Sequence, residues 1–98
     1  MTAYVISEVE ILDAGLAEAY RTLAAASIAA YGGRYLARGA EAEVVEGTST
    51  QRRIVIVEFP SMAQARAWYA SPEYAEALTV RAQALDRRLI FVDGVTAT

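Results

Sequence analysis

Two arginines four residues apart, Arg34 and Arg38, are the candidates for binding an anion. Side chains four apart on a regular strand point to the same face, and paired guanidinium groups can clamp a carboxylate or a phosphate. The same arginines could instead form ion pairs at the surface or at an interface, with Glu41, Glu43 or a second subunit as partner. The residue types leave both interpretations open.

Proton transfer would depend on Glu58 and Tyr20, which we predict as the catalytic residues. Glu58 ends an apolar strand on the side of Ile54 and Ile56, and apolar surroundings raise the pKa of a carboxylate toward values that suit a base. Its alternative role is a strand-end carboxylate bonded to a helix start or an arginine. Tyr20 lies within an apolar helical stripe, so its phenol needs a hydrogen-bond partner, which Arg38 or Glu58 could supply.

Aromatic side chains with polar tips lie on the predicted helices or at their ends, where such groups often line ligand pockets. At helical spacing they also serve as core or interface residues, and that alternative stays open. For ligand contacts we predict, besides the two arginines, Trp68, Tyr69 and Tyr74.

The residue types that are missing exclude many reactions. The chain has no Cys and no His, and its nine basic residues are all arginines. Without His there is no Ser-His triad and no typical zinc site, and without Lys there is no Schiff base. We therefore predict no metal and no cofactor, and acid–base chemistry restricted to Asp, Glu and Tyr.

Charge and hydropathy limit the partners. A net charge of −3 with scattered arginines is not typical of nucleic-acid binding, which uses a basic face. No apolar run is long enough to span a membrane, and the N-terminus lacks the basic start of a signal peptide. Together with the absence of cysteine, these features predict a cytoplasmic protein that contacts neither membrane nor nucleic acid.

Alternating apolar residues predict strands, and runs with helical periodicity that follow capping residues predict helices. The predicted strands cover residues 3–11, 34–46, 52–59 and 85–92. The predicted helices cover residues 14–30, 62–70 and 72–84, the last two forming one divided helix. Gly39 and Ala40 predict a bend in the second strand, and 47–51 is the hairpin connection.

The order β-α-β-β-α-β predicts an α+β ferredoxin-like fold with a four-stranded antiparallel sheet. Residues 1–95 would form a single domain, with 96–98 as a frayed tail.

The third strand is apolar on both sides, which indicates that both faces of the sheet are covered. In a chain of 98 residues the predicted helices can cover one face only. A hydrophobic content of 55% also exceeds the usual ~45–50%. We therefore predict a homodimer that forms through the sheet.

Several sequence motifs together resemble the family of proteins known as domain of unknown function 1330. They are YGGRYLARG (31–39), Glu46–Gly47, EFPS (58–61), WYASPEY (68–74), Arg81 and Asp93–Gly94. The resemblance covers almost the whole chain and implies the dimeric α/β-barrel superfamily, in which two four-stranded sheets face each other. Ala40 and Asp93 depart mildly from the family pattern, where glycine and glutamate are usual.

The family resemblance implies a fold and a pocket location but no reaction. Our first hypothesis is a small-molecule binder or cofactor-independent enzyme whose pocket, between helices and sheet, is lined by Tyr20, Arg38, Glu58 and Tyr69 or Tyr74. The second is a non-catalytic dimeric module for assembly or regulation, in which the same side chains form core and interface. An open cavity beside Tyr20 favours the first hypothesis, and close packing favours the second.

Overall fold

The computed structural model describes residues 1–95, so the predicted tail 96–98 lies outside the described residues. Strands and helices follow one another in the predicted order. The strands are β1 (Ala3–Ile11), β2 (Arg34–Glu41), β3 (Arg53–Phe59) and β4 (Leu85–Asp93). The helices are α1 (Ala14–Ala30), α2 (Met62–Tyr69) and α3 (Pro72–Ala84). This is the predicted ferredoxin-like order with a divided second helix.

Each helix begins at a side chain that accepts a hydrogen bond from a backbone N–H of its first turn. Asp13 accepts from the amide of Leu16, and Ser61 accepts from the amide of Gln64. Ser71 caps α3 in the same way. A cap of this kind contributes about 1 kcal/mol of helix stability, and the three caps fix where the helices start relative to the strands before them.

The strands form one antiparallel sheet in the order β2-β3-β1-β4. Alternation divides its side chains between an inner face, which packs against the helices, and an outer face opposite. Ala3, Val5, Ser7 and Val9 of β1 are buried and define the inner face. On this face Ser7 lies between Val55 of β3 and Leu89 of β4.

Strand β2 departs from regular alternation at two places. Its register against β3 shifts between Tyr35 and Ala37 and again between Arg38 and Ala40. The second irregularity contains Gly39, whose φ of +84° is left-handed and suits glycine. The predicted bend at Gly39 is therefore confirmed, whereas the irregularity at Leu36 was not predicted.

The first shift overturns one prediction about the arginines. Arg34 pairs with Glu58 on the outer face, whereas Arg38 pairs with Val55 on the inner face. The prediction that the two guanidinium groups share a face is wrong, because one extra residue in a strand reverses the alternation beyond it.

Strand β2 is also shorter than predicted. It ends at Glu41, opposite Arg53, where β3 begins. Residues 42–46, predicted as strand, are exposed and outside the ladder, so the connection runs from 42 to 52. A strand needs a neighbouring strand for its backbone hydrogen bonds. The neighbour of β2 is β3, which does not extend beyond Arg53 in this direction, so residues 42–46 have no strand to pair with.

The centre of the outer face is apolar and uncovered by any element of residues 1–95. Ile56, Ile6 and Ile90 form one row across β3, β1 and β4, and all three are partly exposed. Ile54 continues the apolar surface. No helix in the described part of the chain combines the length and the apolar character that a membrane crossing requires.

Candidate functional site

Three polar side chains from three different elements meet between the helices and the inner face. The phenol oxygens of Tyr20 and Tyr74 lie 2.6 Å apart. The Arg87 guanidinium donates to both, from Nη1 to Tyr20 at 2.7 Å and from Nη2 to Tyr74 at 2.5 Å. We call these three residues the Tyr–Tyr–Arg cluster.

The local sequence places each member of the cluster. Tyr20 lies on the stripe of α1 that also buries Ala17 and Ala24. Tyr74 lies three residues after the cap of α3, whose Ser71 hydroxyl accepts from the Tyr74 backbone amide at 3.1 Å. Arg87 is on the inner face of β4, because it pairs with Val9. The cluster thus joins α1, α3 and the sheet.

An aromatic group holds the Tyr74 ring in place. The Trp68 ring centroid is 4.2 Å from that of Tyr74 and 5.3 Å from that of Phe59. Trp68 donates its indole N–H to the Ser27 hydroxyl at 3.0 Å, and Ser27 in turn donates to the Ala24 carbonyl at 2.8 Å. All polar atoms of this group are paired, so its role is to position the neighbouring phenol.

Two phenols that line the cavity described below, those of Tyr20 and Tyr35, are neutral at physiological pH. Burial raises the pKa of Tyr20 far above its ordinary value, and the neighbouring Tyr74 raises it further, although Arg87 acts in the opposite direction. Burial also raises the pKa of Tyr35, against the effect of Arg38, whose guanidinium lies 4.3 Å from the ring centroid. Neither phenol serves as a base near pH 7.

A cavity of about 290 Å³ lies beside the cluster, between α1 and the inner face. Most of its wall is apolar, with contributions from Val5, Val57, Ile28 and Leu89 among others. Four arginines also line it, and no carboxylate of residues 1–95 does so. These lining arginines are Arg21, Arg38, Arg53 and Arg87. The arrangement suits an apolar molecule that carries a hydrogen-bond acceptor.

The structure brings together part of the predicted site. Tyr20, Trp68 and Arg38 line the cavity, and the phenol of Tyr74 belongs to the cluster. Tyr69 does not line the cavity. It is 42% exposed and its ring packs against Phe91.

Glu58 and Arg34 lie on the other side of the sheet. Glu58 pairs with Tyr4 and Arg34 on the outer face, and Arg34 Nε donates to Glu58 Oε1 at 2.8 Å. The expectation that Glu58 shares a pocket with Tyr20 is corrected, because alternation along β3 directs its carboxylate away from the helices. The geometry gives no support to Glu58 as a base for this cavity.

Five lining residues with polar side chains were missed from the sequence: Ser7, Arg21, Tyr35, Arg53 and Arg87. Arg87 had a usable signal, because it alternates with Leu85 and Leu89 and so shares their face of β4. Ser7 likewise stands between Val5 and Val9 in an otherwise apolar buried row. Arg21 and Arg53 had no signal, because their place at the cavity depends on how α1 lies over the sheet.

The described residues offer little to a metal ion. Within residues 1–95, no group of three or more Asp, Glu, His or Cys side chains is placed to hold one. The polar groups at the cavity are guanidinium and hydroxyl groups, which suit an anionic or carbonyl-bearing molecule.

Comparison with solved structures shows how widely this fold is shared. A protein of unknown function from Rhodopseudomonas palustris is 21% identical, with a TM-score of 0.79 over 98% of this chain and 84% of its own. SnoaB from Streptomyces nogalater, described as a cofactor-independent oxygenase, is 13% identical, with a TM-score of 0.69 over 98% of this chain and 95% of its own. A dimeric ferredoxin-like protein of unknown function from Thermobifida fusca is 17% identical, with a TM-score of 0.62 over 93% of this chain and 89% of its own.

Sequence comparison identifies the family. Among curated proteins, none is similar enough in sequence to match the chain. The model of the family described as Domain of unknown function (DUF1330) matches residues 2–95, which confirms the resemblance seen in the sequence motifs. The chain therefore belongs to the DUF1330 family.

Proposed function

We propose that this protein binds a small, mainly apolar molecule in the cavity beside Tyr20, with a ligand oxygen against the Tyr–Tyr–Arg cluster. The observation that carries the proposal is an unfilled space of about 290 Å³ at a polar cluster. Protein interiors are otherwise close-packed, and ligand pockets start near ~300 Å³. An open cavity beside Tyr20 therefore favours small-molecule binding over a non-catalytic module for assembly or regulation, in which the same side chains would pack closely.

The reaction that suits this cavity is one in which the substrate supplies its own reactivity. No residue that lines it is a base at neutral pH. Burial raises the pKa of Tyr20 and of Tyr35, and the other ionisable lining residues are arginines. Arg87 and the phenols can stabilise negative charge on a substrate oxygen, which is a large term in catalysis. The likeness to SnoaB, a cofactor-independent oxygenase, supports oxygen chemistry without a cofactor.

Isothermal titration with 2-naphthol, an apolar ring system with one hydroxyl, tests the binding. The wild-type protein should bind it, and Ala24→Phe, which fills the cavity from α1, should abolish binding. Ala26→Phe is the matched control, because it makes the same change at an exposed position of the same helix. Equal binding by wild type and Ala24→Phe, both folded by circular dichroism, would place the ligand elsewhere and end the proposal.

Oxygen uptake with a dihydroxynaphthalene tests the catalytic part separately. We expect uptake by the wild type and by Ala26→Phe, but not by Ala24→Phe. Binding without uptake by any variant would leave a binding protein and contradict the oxygenase chemistry.

We also propose that the protein is a homodimer joined through its outer face. The row Ile56–Ile6–Ile90 would otherwise stay in contact with water, at about 25 cal/mol for each Å² of apolar surface. The dimeric protein from Thermobifida fusca, which shares the fold, supports this proposal. A second copy is the simplest cover for a self-complementary apolar sheet.

A further inference from the structure

Charge is distributed unevenly around the cavity. Among residues 1–95, the carboxylates within salt-bridge distance of an arginine pair with Arg21, Arg34, Arg52 and Arg88. Arg38, Arg53 and Arg87 line the cavity, and none of them has such a partner among the described residues. A protein with net charge −3 thus presents a cationic cavity.

Arg53 and Arg87 belong to the same row of the sheet. Both pair with Val9, Arg53 from β3 and Arg87 from β4. Because adjacent strands lie about 4.8 Å apart, their backbones are separated by roughly 10 Å. Their long side chains can therefore reach one ligand group from its two sides.

Hydrogen-bond donors at the cavity outnumber acceptors. Tyr20 and Tyr74 carry two hydroxyl hydrogens, but the contact between their oxygens uses only one of them. Arg87 occupies the same oxygens as a donor and cannot accept the remaining hydrogen. One phenol O–H of the cluster is therefore left for an acceptor outside it.

A second unpaired donor lies close by. Ser7 is 95% buried (5% exposed), lines the cavity, and its hydroxyl oxygen has no hydrogen-bond partner among the described residues. It stands two residues before Val9 on the same face, so it adjoins the row of Arg53 and Arg87. A buried hydroxyl without a hydrogen-bond partner is destabilising, and a ligand oxygen would supply that partner.

We propose that the ligand of this cavity is an apolar carboxylic acid, bound as its carboxylate between Arg87 and Arg53, with oxygens that accept from the Ser7 and phenol hydroxyls. The inference rests on the proposed binding function and names its ligand class. A carboxylate is acceptor-only and matches the fork of a guanidinium. The hydrocarbon part of the acid would lie against the valines and Trp68 of the wall.

Isothermal titration of the full chain with three related compounds tests the ligand class. 2-Naphthoate carries the carboxylate, 2-naphthamide replaces it with a neutral group of the same shape, and 2-naphthyl phosphate carries a larger anion. We expect naphthoate to bind at least roughly tenfold more tightly than the amide, since hydrogen bonds to charged groups are the stronger ones. This preference should shrink in about 1 M NaCl, where the Debye length falls to ~3 Å.

Variants at the two arginines test the geometry. Arg87→Met and Arg53→Gln should each weaken naphthoate binding by roughly tenfold or more, but amide binding much less. Arg53 is exposed and makes no ion pair within residues 1–95, so its variant should fold even if Arg87→Met does not. Arg66→Gln removes the same charge from an exposed position on α2 and should leave naphthoate affinity unchanged.

The remaining outcomes separate this inference from the proposed function. Equal affinity for naphthoate and naphthamide overturns the carboxylate and leaves the cavity as a binding site. Tighter binding of the phosphate, with the same dependence on the arginines, overturns the choice of carboxylate. Failure of all three compounds and of 2-naphthol to bind overturns the proposed function and this inference together.

Discussion

The two faces of the sheet are both apolar at the centre, but they differ in whether their arginines have carboxylate partners. On the outer face every arginine of the sheet region has a carboxylate partner within residues 1–95. These pairs are Arg34–Glu58 at 2.8 Å, Arg52–Asp86 at 2.7 Å and Arg88–Glu8 at 3.2 Å. On the inner face Arg38, Arg53 and Arg87 have none, although helices cover that face.

This difference separates two uses of charge. Paired charges around an apolar centre give a surface that a second copy can cover without leaving an isolated ion. Unpaired arginines that line a cavity leave charge available for an anionic ligand. We interpret the outer face as the assembly surface and the inner face as the ligand surface, and the predictions below test that division.

The largest effect should follow from a charge at the centre of the outer face. Ile56→Arg would place an unpaired cation in the proposed interface of each subunit, at roughly 4 kcal/mol or a thousandfold in dissociation constant. Light scattering after gel filtration should then report a monomer, against a dimer for the wild type. Ala67→Arg, exposed on α2, should stay dimeric. A monomeric wild type at micromolar concentration would contradict the assignment of the outer face.

Alkaline pH should act mainly on the inner face. The pKa of Tyr20 is raised by burial first and then by Tyr74, so the folded protein holds this proton more tightly than the unfolded chain. The resulting stability is complete below the ordinary tyrosine value near 10 and is lost as pH rises beyond it, at about 1.4 kcal/mol per pH unit.

Urea unfolding at a series of pH values measures this loss. Tyr20→Phe should be less stable than wild type by about 1 kcal/mol below pH 9, because it loses hydrogen bonds. Its stability should then fall less steeply above pH 10. Parallel curves for the two proteins throughout that range would show that Tyr20 ionises as freely in the folded state as in the unfolded one.

Two arginines of similar burial compare the faces directly. Arg52 donates to the Asp86 carboxylate and to the carbonyls of Glu8 and Asp86, so Arg52→Met should cost about 1–2 kcal/mol. Arg87 has no carboxylate partner within residues 1–95, and its loss leaves the phenols bonded to each other. Arg87→Met should therefore change the ligand-free stability by less than about 1 kcal/mol. Thermal unfolding of both variants checks the order, and a larger loss at Arg87 would make it a structural residue.

Much of the fold could be predicted because its signals are local. Alternation defined β1, and the caps Asp13 and Ser71 defined where α1 and α3 begin, each with the observed bounds. The likeness to a ferredoxin-like protein over 93% of this chain agrees with that fold. These features depend on neighbours within a few residues along the chain, which the sequence contains.

The site was predicted less well because its residues meet through tertiary structure. Alternation shows that Arg87 and Arg88 face opposite sides, but only the packing of helices decides which side encloses a cavity. The irregularity at Leu36 reversed the face of Arg34, and neither Gly nor Pro marks that position. Tyr20 was identified as a buried phenol, but its partners come from α3 and β4, distant in sequence.

The smallest effect should come from Glu58, the residue that the sequence favoured as a base. Its carboxylate is 19% exposed and bonds to an Arg34 side chain that is 72% exposed. A pair with one partner in solvent contributes up to about 1 kcal/mol, so Glu58→Gln should lower stability by that amount or less. Because the inner cavity lies across the sheet, naphthoate affinity should stay within about twofold of wild type.

Arg34→Gln is the matched control for Glu58→Gln, since it removes the other half of the same ion pair. The two variants and their double mutant should give one small coupling energy in stability and none in ligand affinity. A folded Glu58→Gln protein that lost ligand binding or oxygen uptake, while Arg34→Gln kept both, would show that this carboxylate serves a site at the outer face. The division of the sheet into an assembly face and a ligand face would then be wrong, because the outer face would carry chemistry as well.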